Sequence, residues 1–505
     1  MAEVNFGNIL GGVNYSVPPN ELPQYYVADC QNVLPTLNGY ATPRGGSSKL
    51  NSVAYGSNIT SFHEIVLGTT SYKYATTGEL LGHLDDSGIF SNLKDSLSND
   101  AYGQWLDYGG YAIFVNGVNK PQKINGTAIS NLTTDESGLE GASCIAEWGE
   151  RIWVAVGATL YGSALRAPTD FSTSTTDTGY YSGVVGDSSK NIIGLFPFFD
   201  MLLIGKKNQL YMLTGAPETK SSTFRLQPLQ TKSNDSIGFT SKNAIAQVGN
   251  DGIFLDGFDI KRFSGITQYG DIESASILAN IKDFFRDSSG AGLDKGYLQN
   301  AHFFHYKYKQ QVYCSIPTGS DTRYWFVIDY SNFEIREQLK LPFYSIYPMG
   351  GLTPLCFGGV EDGSKLNIYA GCNDGFVRKL DTGYNDDDPV DSHVTWGFGL
   401  PSRRIQPVNI GLNVKYSTAC TLEPSYAMGL QSYSEIIDSS NYTNLDSQDL
   451  THSSWRGSGN VVSKKLSSFM NNTDISFLFK LRHNKNSETY ELRKCYFTYR
   501  GKQRY

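Results

Sequence analysis

Between about residue 60 and residue 385 the chain repeats one pattern: a run of β-branched, aromatic or aliphatic residues, a turn of Gly, Asn or Asp, then another such run. Short apolar runs bounded by turn formers predict strands joined in hairpins. Residues 111–115, closed by Asn116-Gly117, lead to 122–124 and then, after Asn125-Gly126, to a third strand ending near Leu132. The unit returns at 151–156 with 159–164, 201–205 with 209–213, 252–255 with 259–263, 311–316 with 324–330, and 365–370 with 375–380. Four-stranded sheets of about 40–50 residues each predict a β-propeller of six blades, with seven as the alternative. One stretch breaks the pattern. Ile277, Leu278, Ile281, Phe284 and Phe285 recur at helical spacing, with Asp271 or Ser274 to cap the start, and predict one amphipathic helix packed on a blade.

The ends read differently. Residues 1–45 carry prolines and glycines with little periodicity and are expected as an extended arm lying on a neighbour or on the propeller. The acidic, turn-rich stretch 381–391 marks a domain boundary, with Asp386, Asp387 and Asp388 read as a solvated linker. Beyond it, strands at 408–416, 461–466, 475–482 and 490–499 predict a β-sandwich. The expected organisation is all-β: an N-terminal arm (1–45), a propeller (46–388) and a C-terminal sandwich (389–505).

Composition narrows the function. With 42 Lys and Arg against 49 Asp and Glu, the net charge is −7, which disfavours a generic nucleic-acid groove. The last 28 residues are the exception, because eight basic and two acidic side chains give them +6 and leave −13 on the rest. Lys480, Arg482, Lys485, Arg493, Lys494, Arg500, Lys502 and Arg504, interleaved with Tyr490, Tyr496, Phe497 and Tyr499, are therefore the candidate contact for a polyanion or for an acidic neighbouring subunit. Seven widely spaced cysteines without a Cys-x-x-Cys pair are expected as buried free thiols of a protein made in a reducing cytoplasm. No signal peptide and no membrane span are expected, since the most apolar stretch, 192–204, is broken by Pro197 and Asp200.

The search for chemistry nominates no catalyst, metal or cofactor. The stretch Ser98-Asn-Asp100-Ala-Tyr-Gly103-Gln-Trp105 approaches the Asp box of sialidase-like propellers, with its glycine one place late. His302 and His305 stand three apart on a strand and point to opposite faces, so they cannot share a metal. Phosphate loops and nucleophile elbows are missing from the sequence.

Several stretches resemble one family, the β-propeller tail nozzle, tail hub or packaged-DNA stabilisation proteins of short-tailed bacteriophages. The N-terminal ones are Gly11-Gly12-Val13-Asn14, Pro18-Pro19, Leu22-Pro23, Ala28-Asp29-Cys30-Gln31-Asn32-Val33 and Pro43-Arg44-Gly45-Gly46. Two depart from the family's usual form: Cys30 replaces a small residue, and Pro43-Arg44 is inverted. The middle adds Tyr108-Gly109-Gly110-Tyr111, Arg151-Ile152-Trp153-Val154, Leu203-Ile204-Gly205-Lys206, and Asn250-Asp251-Gly252-Ile253-Phe254-Leu255. The closing hairpin, Asp374-Gly375 through Leu380-Asp381, precedes the acidic stretch.

The resemblance implies a structural virion protein, assembled in the host bacterial cytoplasm and not an enzyme. It implies a hexameric ring at the distal end of the tail, joined to an adaptor or tube above it. That ring would retain packaged DNA and provide the channel for its exit. A neutral or acidic channel wall is expected, because a basic lumen would hold phosphates and stall a sliding duplex. Segments 166–190 and 216–236 are expected as irregular loops narrowing the bore, and host surface glycan is a further expected contact through tyrosines. The alternative from another class is a glycan-binding or glycan-cleaving propeller, which two carboxylates facing one pocket would support.

Overall fold

The computed structural model describes residues 2–503 except 57, 174–177, 217–222, 230–235, 267–271, 288–289, 363–364, 384, 401–402, 417–420, 431, 446–461, 468–473, 475 and 486–487. Among these residues the repeated hairpins fold into seven four-stranded antiparallel sheets. In chain order they span 59–94, 104–131, 142–184, 194–228, 245–276, 302–348 and 354–380. Each pairs strands in sequence order, and the seventh borrows its outer strand, Ser47–Lys49, from upstream of the first sheet. Every hairpin expected from the pattern is present; Met201–Lys206, for instance, pairs with Gln209–Thr214 around a two-residue turn.

Burial explains why the middle strands read as unbroken apolar runs. Met201–Lys206 and Gln311–Pro317 are buried along their whole length, each covered on both faces, whereas the outer strand Ala128–Asn131 is mostly exposed. Glycine makes room where sheets meet: a Cβ on Gly205 would lie 2.0 Å from the Phe239 ring.

Apolar clusters join the sheets in cyclic order. Leu81 and Phe114 link the first and second, Val115 and Ile145 the second and third, and Trp153 and Ile204 the third and fourth. The rings of Phe198 and Phe263, 4.8 Å apart, link the fourth and fifth. A larger core runs through the fifth, sixth and seventh, and Ile59 with Cys356 joins the seventh back to the first. The body is thus an all-β, propeller-like ring of sheets. The six described cysteines are free and buried within it and the terminal sheets, while Cys420 lies outside the described residues.

The first 45 residues are not an arm laid only on a neighbour or on the propeller; they supply strands to the C-terminal sheets. Ala2–Phe6 pairs with the last strand, Tyr490–Gln503; Asp29–Gln31 pairs with Ser392–Gly399; and Val33–Pro35 and Ala41–Pro43 extend the sheet of Tyr490–Gln503. Two antiparallel sheets result, one of six strands and one of five. They meet through Phe497, whose ring lies 5.1 Å from Phe477 and 5.0 Å from Phe398. The expectation missed this because strands of two or three residues are too short to show an alternation.

Two other expectations are corrected. The helix covers only Lys282–Arg286; Ser274 lies on a strand paired with Phe263, and Ile281 holds the cap position without a side-chain cap. The expected apolar stripe is still buried at Leu278, Ile281, Phe284 and Phe285, and Asp271 lies outside the described residues. Neither expected loop is irregular throughout: Tyr181–Val184, within 166–190, is the outer strand of the third sheet, and Arg225–Pro228, within 216–236, is the outer strand of the fourth, while 217–222 and 230–235 lie outside the described residues. Two further helices, Phe333–Leu339 and Tyr433–Ile437, were not expected; the second carries a capping box of Ser432 and Glu435.

Candidate functional site

The basic C-terminal side chains are divided between the two terminal sheets. Lys480 and Arg482 lie on Ser476–His483 in one, and Arg493, Lys494, Arg500 and Lys502 lie on Tyr490–Gln503 in the other. Lys485 is exposed in the connection between these strands, and Arg504 lies outside the described residues. Three of these charges form ion pairs with acids of the same chain. Arg482 is bound to Asp391 at 2.8 Å with Glu423 at 3.6 Å, Arg493 to Glu491 at 2.9 Å, and Lys494 to Glu3 at 3.6 Å. Lys480 is buried over the Tyr442 ring, 5.1 Å away, and burial pulls its ammonium pKa down despite the nearby Asp29. These residues therefore fall on two sheets, with Arg482, Arg493 and Lys494 compensated within the chain and Lys485 and Arg500 exposed. Much of their charge stitches the chain's two ends and the domain junction.

Asp29 is the centre of that stitching. It accepts from Tyr15 Oη at 2.9 Å and faces His393 Nε2 at 2.7 Å. Burial opposes its charge, but His393, Lys480 and Tyr15 together outweigh burial and hold the carboxyl below its ordinary value.

The acidic stretch is solvated only in part: Asp387 and Asp388 are exposed, whereas Asp386 is buried. Arg44 is buried and forms an ion pair with the buried Asp386, while its guanidinium also reaches Asn32 Oδ1 at 2.8 Å and the Gly350 carbonyl at 2.9 Å. Asp387 binds Arg378 at 2.9 Å and Lys49 at 3.0 Å. Asn32, in the left-handed region at φ 55°, donates to the Asp391 carbonyl at 2.7 Å. The Asn32 and Arg44 of the family-like N-terminal stretches are thus the fasteners of the junction. Sequence reasoning missed them because their partners lie more than three hundred residues away.

The middle of the ring of sheets is bridged. Lys242 Nζ, before the fifth sheet, donates to the Ser143 carbonyl of the third at 2.9 Å, and Asn243 donates to the Gly103 carbonyl at the second at 3.0 Å. Arg323 of the sixth sheet donates to Tyr102 Oη, again beside the second. None of these sheets is consecutive, so the contacts cross the centre. Burial pulls the Lys242 ammonium down to about 8.

The two histidines have separate surroundings. His302 is half-buried beside Phe357, whose N–H it accepts at 3.4 Å, and His305 Nε2 faces Tyr330 Oη at 2.6 Å. Among the described residues no group of three or more His, Cys, Asp or Glu is set to hold a metal, and no helix is long and apolar enough to cross a membrane. The near Asp box forms no shared site either: Trp105 stacks on His63 at 5.1 Å, within the sheet packing.

Burial lowers the His302 pKa from 6.5 to about 4. Between these values the unfolded chain holds more protons than the folded one, so stability should fall as the pH drops through this window. The expected loss by pH 4 is about 3 kcal/mol. Urea unfolding of the parent and His302→Asn, measured from pH 7 to pH 4, checks this. The variant should lose that part of the slope, and identical slopes would exclude the histidine as its source.

No family model and no curated protein matches the chain. Among solved structures it is similar to the extracellular domain of a hybrid two-component system from B. thetaiotaomicron, with a TM-score of 0.41, 10% identity, and coverage of 68% of this chain and 40% of that one. It is also similar to the N-terminal domain of Nup159 (TM-score 0.38, 9% identity, 73% of this chain and 99% of that). A third is the WD40 domain of Neurospora crassa Pan2 (TM-score 0.38, 10% identity, 66% and 94%).

Proposed function

We propose that the seven sheets are the blades of one seven-bladed β-propeller, that the terminal sheets form a β-sandwich, and that the chain is a structural virion protein of a short bacteriophage tail. In this reading copies form a homohexameric ring at the distal tail, dock on an adaptor or tube, retain packaged DNA and surround its exit path. The observation that carries the reading is the use made of the family-like N-terminal stretch. Gly12 stands at φ 72° against the Ile346 carbonyl, Asp29 and Asn32 bind the C-terminal part, and Arg44 binds the acidic junction. A stretch that fastens propeller to sandwich makes a rigid wedge, the kind of unit that heterologous contacts can close into a ring.

The bridged middle adds a constraint: a duplex would pass between copies, not through one propeller. The internal neutralisation of Arg482, Arg493 and Lys494 suits a passage that does not grip phosphate. Native mass spectrometry and negative-stain imaging of the purified full chain test the reading. A closed ring with an open centre is expected; isolated propellers at micromolar concentration would overturn it.

A further inference from the structure

Arg500 has a basic neighbour that lies outside the C-terminal stretch. The two long strands Arg403–Tyr416 and Tyr490–Gln503 pair in antiparallel register, with Arg404 opposite Lys502 and Gln406 opposite Arg500. Directly opposite residues share a face of a sheet, and so do residues two apart on one strand. Arg404, Gln406, Arg500 and Lys502 therefore belong to one face at the end of the ladder. Arg404 and Arg500 are exposed, while Ile405, on the other face, is buried. Diagonal neighbours such as these two arginines stand about 7–8 Å apart, close enough for both guanidiniums to act on one partner.

Like charges facing each other across a ladder weaken it. Here the chain supplies no counter-charge: among the described residues neither Arg404 nor Arg500 forms an ion pair. Two acids of adjoining segments are directed elsewhere. Glu3 is bound by Lys494 at 3.6 Å, and Asp474, which bridges Ile405, shares the buried face and sets its carboxylate beside Gly429. Among the described residues no strand pairs with the far edge of 500–503, since Ala2–Phe6 reaches only to Tyr499. The face ends in an open corner.

Its composition separates the kinds of partner. A protein interface is built around an apolar or aromatic centre, and single-stranded nucleic acid needs aromatic rings to stack on. None of the four positions supplies either. The phosphate backbone of a duplex requires only donors and charge, and a guanidinium meets a phosphate with two parallel N–H bonds.

We propose that this corner of the terminal sheets contacts the backbone of duplex DNA, with Arg404 and Arg500 each bonded to a phosphate and Lys502 beside them in register. No base edge is read, so binding is independent of sequence. Few contacts per copy leave the duplex loosely held, which agrees with the neutralised Arg482, Arg493 and Lys494. The inference rests on the DNA of the proposed function but not on the ring, because one copy supplies every residue.

Fluorescence anisotropy of a labelled duplex of mixed sequence, titrated with the full chain from about 50 to about 200 mM salt, tests it. The parent should bind with a log–log salt slope of about −2 to −3. Arg404→Gln and Arg500→Gln should each flatten that slope by about 1 and together weaken binding about tenfold at the lower salt, with an unchanged melting temperature. Lys485→Gln removes the same charge from an exposed connection and should leave the slope as it was. An equal loss in Lys485→Gln would reduce the effect to net charge and overturn the site, as would an unchanged slope in the double variant. Competition by polyglutamate as strong as that by unlabelled duplex would overturn the choice of phosphate. A smaller assembly in the double variant with DNA binding intact would assign the corner to a second copy and overturn the proposal. Native mass spectrometry of the same samples reports the ring, so the two readings fail independently.

Discussion

Deletion of residues 1–49 should leave a chain that no longer folds cooperatively. The cut removes the outer strand of the seventh sheet, Ser47–Lys49, and the strands Ala2–Phe6, Asp29–Gln31, Val33–Pro35 and Ala41–Pro43 from the terminal sheets. It also removes Ile9, Leu10, Val13, Val27, Cys30, Val33 and Leu34, all buried. Fully burying one large aliphatic side chain contributes about 1.5–3 kcal/mol, so the set matches or exceeds the 5–15 kcal/mol (roughly) by which a typical domain is stable. The loss of Arg44 then leaves Asp386 buried without its guanidinium. Near-ultraviolet circular dichroism and thermal melting of the truncated chain check this, and a melt as sharp and as high as the parent's would refute it. Deletion of residues 1–6 alone should be far milder, because three of the five residues in Ala2–Phe6 are exposed.

The contrast between those two deletions shows what kind of information a sequence carries. A hairpin such as 201–214 announces itself, because its strands are adjacent, long enough to be wholly apolar and closed by a two-residue turn. Strands of three residues such as Asp29–Gln31 have no period to read, and their partner, Ser392–Gly399, lies far along the chain. Charge was misread for the same reason. Of three consecutive aspartates that look like solvated linker, Asp387 and Asp388 are exposed, but Asp386 is buried against Arg44. The basic tail looks like a patch until Glu3, Glu491 and Asp391 are found within reach. The helix was overextended because Ser274 and its neighbours have apolar and small residues compatible with either period, and pairing with 259–266 decides for strand.

Replacing Arg336 should cost the protein about 3–5 kcal/mol, the range for breaking a buried ion pair from one side. Arg336 and Asp329 are each only 1% exposed. The guanidinium donates to Asp329 Oδ1 at 2.7 Å, Ser345 Oγ at 2.7 Å, and the carbonyls of Ser331 at 2.6 Å and Leu10 at 2.8 Å. It therefore ties the N-terminal segment to the sixth sheet as well as neutralising a carboxylate. Arg336→Lys should recover little, since one ammonium cannot reproduce a planar fork that serves several acceptors. Arg336→Met combined with Asp329→Leu should be less harmful than the sum of the single changes, because the stranded charge is gone, yet it should stay below the parent, since the Ser331 carbonyl loses the guanidinium and the Leu10 carbonyl keeps only Ser345 Oγ. Urea unfolding of the double change and its two single changes measures the coupling, Arg336→Lys and Arg336→Ala are unfolded alongside them, and limited proteolysis near Leu10 reports release of the segment. A loss below about 1 kcal/mol for Arg336→Ala, or full rescue by lysine, would show that this pair is not the anchor its geometry describes.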